Sequence, residues 1–343
     1  NMMLQINAEP AFMLAESLNF SAVLDDKLVI EQLAIQAPGF QTTLDGRLNL
    51  EPPFDVSATL QGRIEQQGRA NVPGLALPFQ LESRGTPENL NFALTSTDPG
   101  LALGTERLDL AISGSLSTTG VLFDRVTLSG SGLNLKATGT MDWSPEKQAG
   151  LKLSLSQLDL SPWLAAWPAG QQLLGNIELT WSDSGLQIPQ GTLGVAGTTF
   201  VLNLAADVDL EANAINALID WRDLDWPLAD SSPRFSSPSG RLSVNGNLDD
   251  WEATGNLDMV IGSYPQGRLE FLGGGNRTSC HIAIPDGDAL GGNNRGTASA
   301  DWQNGLAWDL QANVSGIEPE PLLPGWPGRI DAEIAASASN RSD

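Results

Sequence analysis

Alternation of apolar and polar residues runs through this chain and constrains its fold more than any other feature. The clear runs are Val56–Leu60, Leu108–Ser113, Leu151–Ser156, Ile177–Trp181, Val208–Ala212, Leu242–Asn245, Leu257–Ile261, Trp308–Val314 and Ile330–Ile334. A strand with one dry face produces this period of two, whereas an amphipathic helix repeats about every 3.6 residues. Gly, Asn, Asp and Pro separate the runs at short intervals, so the sequence predicts an all-β array of antiparallel strands.

Two local departures from the alternation carry their own predictions. The apolar positions shift by one residue at Gln157, between Leu155 and Leu158, which indicates a β-bulge. The segment Ser161–Trp167 has a capping residue followed by Pro162, an arrangement that favours the first turn of a helix. We therefore expect short helical turns between strand-rich units.

Landmark residues recur at one spacing and predict an internal repeat. Trp143, Pro162 and Trp167 have counterparts 159 residues later at Trp302, Pro321 and Trp326. We interpret residues 70–182 and 220–338 as two copies of a β-rich unit, 1–69 as the tail of an upstream copy, and 183–219 as connecting strands. Stacked copies of such a unit would extend one sheet into an elongated, solenoid-like molecule.

Charge and composition exclude several classes of function. The 343 residues include 18 Lys and Arg against 41 Asp and Glu, a formal net charge of −23, and no basic cluster that nucleic-acid binding requires. Cys280 is the one cysteine and His281 the one histidine, so neither an intramolecular disulfide nor a multi-ligand zinc site is available. Alternation predicts a buried Cys280 and an exposed His281 on opposite strand faces. We expect no enzymatic activity, no cofactor and no metal.

Segments for membrane insertion are not recognisable in the sequence. No apolar run approaches the roughly 20 residues of a membrane-spanning helix, and no export signal opens the chain. We expect the sequence to be a piece of a longer protein, with an anchor or signal upstream.

The alternation alone leaves open what covers the apolar face. A closed sandwich core and an uncovered, lipid-lined groove both require one dry face on every strand. The sequence pattern therefore predicts the dry face without choosing between these two architectures.

Several segments carry a family resemblance. They are Trp221–Leu228, Ser239–Gly246, Gly291–Gly292, Gly296–Thr297, Trp302 and Pro324–Gly328, with a diverged counterpart around Trp143, Leu158–Leu160, Trp167–Pro168 and Gly175. Over roughly 140–338 the chain resembles the TamB branch of the AsmA-like proteins, which includes the inner-membrane subunit of the translocation and assembly module and the bacterial bridge-like lipid transfer proteins.

The resemblance implies an elongated antiparallel sheet curled into an open apolar groove, the β-taco arrangement. It further implies a periplasmic protein of Gram-negative bacteria, anchored in the inner membrane at full length, that carries phospholipid to the outer membrane and supports outer-membrane biogenesis. The partners implied are phospholipid acyl chains and, through regions outside this chain, a TamA-like barrel of the Omp85 type.

Two other classes of function stay open. An interaction scaffold would assist outer-membrane protein (autotransporter) assembly and secretion by β-augmentation with an Omp85-type barrel. An extracellular adhesin or glycan-binding array would use a similar strand pattern.

Apolar positions of the alternating strands are the candidate groove lining. These residues are Leu108, Leu110, Ile112, Leu151, Leu153, Leu155, Ile177, Leu179, Leu257, Met259, Ile261, Trp308 and Leu310.

Overall fold

The computed structural model is all-β and divides into two compact units. It describes residues 17–66, 68, 74–98, 100–103, 106–130, 132–161, 167–168, 170–228, 233–247, 249–262, 264, 266–303, 305–320 and 325–339. Unit 1 is Asn1–Leu158 and unit 2 is Asp159–Asp343. The predicted all-β class, with antiparallel pairing between strands, is confirmed.

Unit 1 is an antiparallel sheet in which strands adjacent in sequence pair in space. Its strands are β1 (Ser17–Leu24), β2 (Lys27–Ala37), β3 (Phe40–Asn49), β4 (Val56–Gln66), β5 (Leu75–Thr86), β6 (Asn89–Ser96), β7 (Leu101–Leu103), β8 (Glu106–Ser117), β9 (Gly120–Gly130), β10 (Leu133–Asp142) and β11 (Gln148–Asp159). Both β6 and β7 pair with β5 on one side and β8 on the other, so they form one interrupted strand.

Unit 2 repeats this simple topology, each strand pairing with the next. Its strands are β12 (Gln172–Ser182), β13 (Gly185–Val195), β14 (Val201–Asp209), β15 (Ala214–Trp226), β16 (Phe235–Gly246), β17 (Trp251–Ile261), β18 (Gly267–Gly275), β19 (Ser279–Gly287), β20 (Asn293–Asp301), β21 (Ala307–Ile317) and β22 (Ile330–Ser339). A 3-10 turn, Ala289–Gly291, lies between β19 and β20.

The bulge predicted at Gln157 is confirmed. Gln157 pairs with Asn134, whereas Leu155 pairs with the next residue, Leu135, so β11 holds one extra residue at this point. The extra residue restores Leu158 to the apolar side of the sheet.

The strand predicted over Val208–Ala212 is wrong in its second half. β14 ends at Asp209, and 210–213 form a turn. The Asp209 carboxylate accepts backbone N–H bonds from Glu211 and Ala212 at 2.9 and 2.8 Å, which stabilises the turn against a continued strand.

Helical structure is scarce in the described part of the chain. The helical turn predicted over Ser161–Trp167 lies for the most part outside the described residues, which omit 162–166. Among the described residues, no helix is both long enough and apolar enough to cross a membrane.

The 159-residue spacing of the sequence landmarks also relates strands of the two units. β4, β10 and β11 begin at residues 56, 133 and 148, and β15, β20 and β21 begin at 214, 293 and 307, within one residue of that spacing. The unit boundary at Leu158 differs from the predicted repeat boundaries at 69, 182 and 219, and the repeats themselves stay a prediction.

Few apolar residues are fully buried. Among the described residues these are Phe79, Ala102, Leu108, Ala137, Val195, Leu228, Ala253, Met259, Tyr264 and Ala289. Most other apolar strand residues are half-buried, so the sheets retain solvent-accessible apolar faces.

Candidate functional site

The pairing register of unit 1 aligns apolar residues of successive paired strands into one row across the sheet. Directly opposed residues of antiparallel strands share a face of the sheet. The row comprises Phe20, Leu33, Leu44, Leu60, Leu81, Leu94, Ile112, Val126, Ala137 and Leu153. This face of unit 1 is therefore lined mainly by large aliphatic side chains.

Unit 2 has equivalent rows, which we call row A and row B. Row A comprises Ile188, Ala206, Ala217, Val244, Ala253, Gly273, Ile282, Ala298, Leu310 and Ala336. Row B comprises Trp181, Leu186, Val208, Ile215, Gly246, Trp251, Gly275, Cys280, Ala300, Trp308 and Ala338. Both rows contain no charged or hydrogen-bonding side chain other than indole and thiol groups.

A groove of about 880 Å³ opens over rows A and B between β15 and β21. Its floor is formed mainly by residues of these two rows, with Leu242 and Phe271 from the next row and Asn247, His281, Ser299 and Asp309 at its margins. The accessible surface inside it is almost wholly apolar. The volume lies in the range of sites that hold small organic ligands.

Glycines on this face allow aromatic rings to lie flat on the neighbouring strand. A Cβ at Gly255 would come within 2.3 Å of the Phe271 ring, and one at Gly275 within 2.8 Å of the Trp251 ring. Any larger residue at these glycines would push the rings into the groove. The depth of the groove therefore depends on small residues as much as on the rings themselves.

The opposite face of unit 2 is polar at the same level. A row of directly opposed residues there comprises Gln187, Asp207, Asn216, Asn245, Glu252, Gly274, His281, Ser299, Asp309 and Ser337. The predicted opposite orientation of Cys280 and His281 is confirmed. Cys280 is half-buried in the groove floor and not fully buried as expected, because the groove above it is open to solvent.

Hairpin turns adjoin row B at one margin of the groove, which we call the turn-side rim (residues 247, 249–252, 276–279, 301–303 and 305–309). Arg277 in the β18–β19 turn donates from Nε to Asp249 Oδ1 at 2.6 Å and from a terminal nitrogen to Asp249 Oδ2 at 3.3 Å. Trp302 donates its indole N–H to the Arg277 carbonyl at 2.9 Å. These contacts join three successive hairpins of unit 2.

The tryptophan contact has a counterpart in unit 1 at the 159-residue spacing. Trp143 donates its indole N–H to the Thr118 carbonyl at 3.0 Å, and the sequence separations 302 − 143 and 277 − 118 are both 159. We call this contact the tryptophan latch. In each unit the latch joins the turn of one hairpin to the turn of the preceding hairpin. These are the β10–β11 and β8–β9 turns in unit 1, and the β20–β21 and β18–β19 turns in unit 2.

The structure places the predicted lining residues on the apolar faces of both units. Leu108, Leu110, Ile112, Leu151, Leu153 and Leu155 lie in unit 1, and Ile177, Leu179, Leu257, Met259, Ile261, Trp308 and Leu310 lie in unit 2. Of the thirteen, Trp308 and Leu310 line the described groove. Contact of these residues with lipid stays a prediction.

Sequence reasoning missed the small residues of the site. Ala253, Gly273, Ala298 and Ala300 line the groove, but they do not stand out in an apolar alternation dominated by Leu, Ile and Val. A usable signal was the three-glycine run 273–275 inside a strand, since glycine in a strand marks a close approach by another group.

Local hydrogen bonds displace the pKa values of Asp142, Asp159 and Arg241. Hydrogen bonds from the Ser144 side chain and backbone lower the pKa of Asp142, and the Ser161 backbone N–H lowers that of Asp159. The Asp220 carboxylate, 2.5 Å from Arg241 Nε, raises the pKa of Arg241. Asp142 and Arg241 are exposed and Asp159 is half-buried, and all three lie at strand ends or polar strand positions, away from the groove floor.

Comparison with known proteins gives one family match. Residues 196–343 match the family model described as TamB, N-terminal domain, and this range includes every residue that lines the groove. No solved structure matches the chain. Over residues 196–343 the chain is therefore similar to the TamB N-terminal domain.

Proposed function

We propose that this protein carries phospholipid between the inner and outer membranes of a Gram-negative bacterium by holding acyl chains in its apolar groove. The observation that carries the proposal is the groove of about 880 Å³ within the TamB-like part of the chain. Its inner surface is apolar and open to solvent on one side, as a chain-binding site with a hydrated headgroup requires.

Burial of acyl chains would provide the binding energy. Each methylene transferred from water into the groove gains roughly 0.8 kcal/mol. Row B contributes uncharged residues from all eleven strands of unit 2, so the apolar surface continues beyond the groove in both directions across the sheet. Because the lining is uniform, its affinity for an acyl chain is similar from strand to strand. A lipid can therefore move along the lining without being held much more tightly at one position.

The side chains of the groove floor support binding rather than catalysis as the role of the chain. The groove floor offers one thiol, Cys280, and no carboxylate or amine to act on a substrate. The family resemblance further favours a periplasmic location and an Omp85-type outer-membrane barrel as the protein partner. Outer-membrane biogenesis would then depend on the lipid that the groove supplies.

Filling the groove tests the proposal directly. Ala298 and Ala300 point into the groove from β20, whereas Thr297 lies on the opposite face of the same strand. In the double variant Ala298→Phe/Ala300→Phe, displacing about two methylenes should lower bound phospholipid about tenfold, as measured by native mass spectrometry. Thr297→Phe is the control, because it adds a phenyl ring on the opposite face of β20, outside the groove.

The wild-type chain should retain phospholipid through purification, and the control should match it. A wild-type chain that neither co-purifies with phospholipid nor takes it up from vesicles would overturn the proposal. Equal occupancy in the double variant would show that lipid binds elsewhere.

A further inference from the structure

We propose that a loop at one end of the groove limits the acyl chains that the groove accepts to a length of about 16 carbons. The inference rests on the proposed function, because it assigns a substrate preference to the same groove. The loop is formed by residues 288–292, which connect β19 to β20 and include the 3-10 turn, and we call it the end cap. It lies at the end of the strands opposite the turn-side rim.

The end cap lies on the apolar side of the sheet. Asn294 is on the same face of β20 as Ala298 and Ala300, which line the groove. Its side-chain amide donates to the carbonyls of Ala289 and Gly292 at 2.6 and 3.1 Å, so it holds the loop backbone on this face. The 3-10 turn also contacts β17, β18 and β21. The loop therefore covers the ends of strands whose rim-side halves form the groove.

Backbone contacts fix the end cap against β18. The Asp288 backbone N–H donates to the Arg268 carbonyl at 2.9 Å, and the Asp288 carboxylate accepts the Arg268 backbone N–H. The next residue of β18, Gly267, lies opposite Met259, and a Cβ at Gly267 would come within 2.6 Å of the Ala289 Cα. The loop and the strand are therefore in direct backbone contact, with no room for an acyl chain between them.

Burial differs between the two ends of the apolar face. At the end cap, Met259 and Ala289 are only 9% and 4% exposed, and Tyr264 in the β17–β18 connection is also buried. Towards the rim, Ile282 and Trp308 are 41% and 40% exposed. The groove is therefore open at the rim and closed at the end cap. A lipid whose headgroup stays in water enters from the rim, with the ends of its chains directed towards the end cap.

The distance from the rim to the end cap sets the length of chain that fits. Trp251 lies in row B, and Leu257, six residues further along β17, is the last residue on this face before the buried Met259. Six residues of a strand span about 20 Å. An extended acyl chain advances by about 1.25 Å per carbon, because bonds of about 1.5 Å follow a zigzag, so about 16 carbons cover this distance.

Longer chains should bind less well than chains that fit. A methylene that moves from a bilayer into the apolar groove stays in an apolar environment, so chains within the limit should bind equally. A methylene that the end cap keeps outside is exposed to water instead, and each exposed methylene lowers binding by about fourfold. The length limit therefore appears as a cut-off and not as a gradual trend.

A chain-length series with one headgroup tests the limit. The 343-residue chain is incubated with vesicles of phosphatidylcholines whose two monounsaturated chains have 14, 16, 18, 20 or 22 carbons, in equal amounts. When the bound composition is constant, the protein is repurified and its lipids are quantified by mass spectrometry. We expect equal binding up to about 16 carbons. The 20-carbon lipid should be depleted at least about tenfold relative to the 16-carbon lipid.

Three variants test the role of the end cap. Met259→Ala removes a buried side chain at the closed end and should admit about two more carbons, so the 18-carbon lipid should bind as well as the 16-carbon lipid. Asn294→Ala removes the two bonds that hold the loop on this face and should also raise binding of the 18-carbon lipid. Leu193→Ala is the control, because Leu193 lies in the same row as Leu257 but four strands away on β13. It should keep the wild-type cut-off.

The outcomes separate this inference from the proposed function. Binding of lipid without any dependence on chain length overturns the length limit and leaves lipid carriage intact. Circular dichroism identifies the variants that retain the sheet. A wild-type cut-off in the folded Met259 and Asn294 variants, or the same shift in the Leu193 control, overturns the role of the end cap. Absence of any bound phosphatidylcholine overturns lipid carriage and the inference together.

Discussion

The two units share a strand plan but differ in the side chains on their apolar faces. Strand positions and the tryptophan latch recur at a spacing of 159 residues. The central row of unit 1 is mostly Leu, Ile and Val, whereas row A of unit 2 contains six Ala or Gly residues among ten. The comparison shows that one backbone plan accepts linings of different depth, so the lining can vary without a change of fold.

The largest expected effect comes from placing charge on the two apolar faces at equivalent positions. Leu153→Asp/Leu155→Asp in unit 1 should lower the free energy of unfolding by roughly 4 kcal/mol, because it removes two half-buried leucines and places carboxylates on a dry face. Ala312→Asp/Val314→Asp, 159 residues later, removes less apolar surface and should cost roughly 2 kcal/mol. Urea unfolding followed by circular dichroism measures both.

The Leu153/Leu155 variant should also lose bound lipid if the unit 1 face contacts acyl chains. Equal losses of stability in the two pairs would contradict the difference in lining described here. Ser154→Asp, at an exposed position on the opposite face of β11, is the control for an added carboxylate in unit 1.

Removing the tryptophan latch should lower the free energy of unfolding less than the charge substitutions do, and by the same amount in each unit. Trp143→Phe and Trp302→Phe each delete one indole hydrogen bond to a turn carbonyl, which should destabilise the chain by about 1 kcal/mol. The shift of the urea midpoint measures the loss. Trp326→Phe, at a side chain that is 64% exposed, serves as the control. A loss of stability in only one of the two variants would contradict the prediction that the two latches contribute equally.

The smallest effect concerns acid sensitivity at the turn beside the unit 1 latch. Bonds from Ser144 lower the pKa of Asp142, so its contribution to stability is complete above the unfolded-state pKa and is lost as the pH falls through the folded-state value. Asp142→Asn should therefore reduce the stability that the chain loses over the pH range below the unfolded-state pKa of about 3.9. Urea midpoints across that range test it.

Asp124→Asn is the control for this acid effect, because it removes a carboxylate from a strand of the same unit. An unchanged pH profile in Asp142→Asn, relative to wild type, would contradict the assigned role of the Ser144 bonds.

The fold was predictable where a local rule governs it. Alternation places Ile112 and Leu153 on one face, and the structure aligns them in one row across four strands. The shift at Gln157 predicts a bulge that the register confirms. The face on which a side chain lies and the position of the bulge depend on neighbouring residues of a single strand, and the sequence carries that information directly.

The groove was predictable only in part, because its volume depends on contacts between strands. Phe271 lies over Gly255 because the register brings them opposite each other, and neither position alone indicates a ligand site. The end of β14 was missed for a related reason: the Asp209 side chain competes with strand hydrogen bonding, although the alternation continues to Ala212.

In the antiparallel sheet of unit 2, the direction of a strand depends on whether its position in the strand order is odd or even. β12 and β22 are separated by ten pairing steps, an even number, so they run in the same direction and begin at the same edge. An insertion or deletion of a single strand would reverse the direction of every later strand and move the Trp302 latch to the opposite edge. Relatives of this chain should therefore differ in length by whole hairpins.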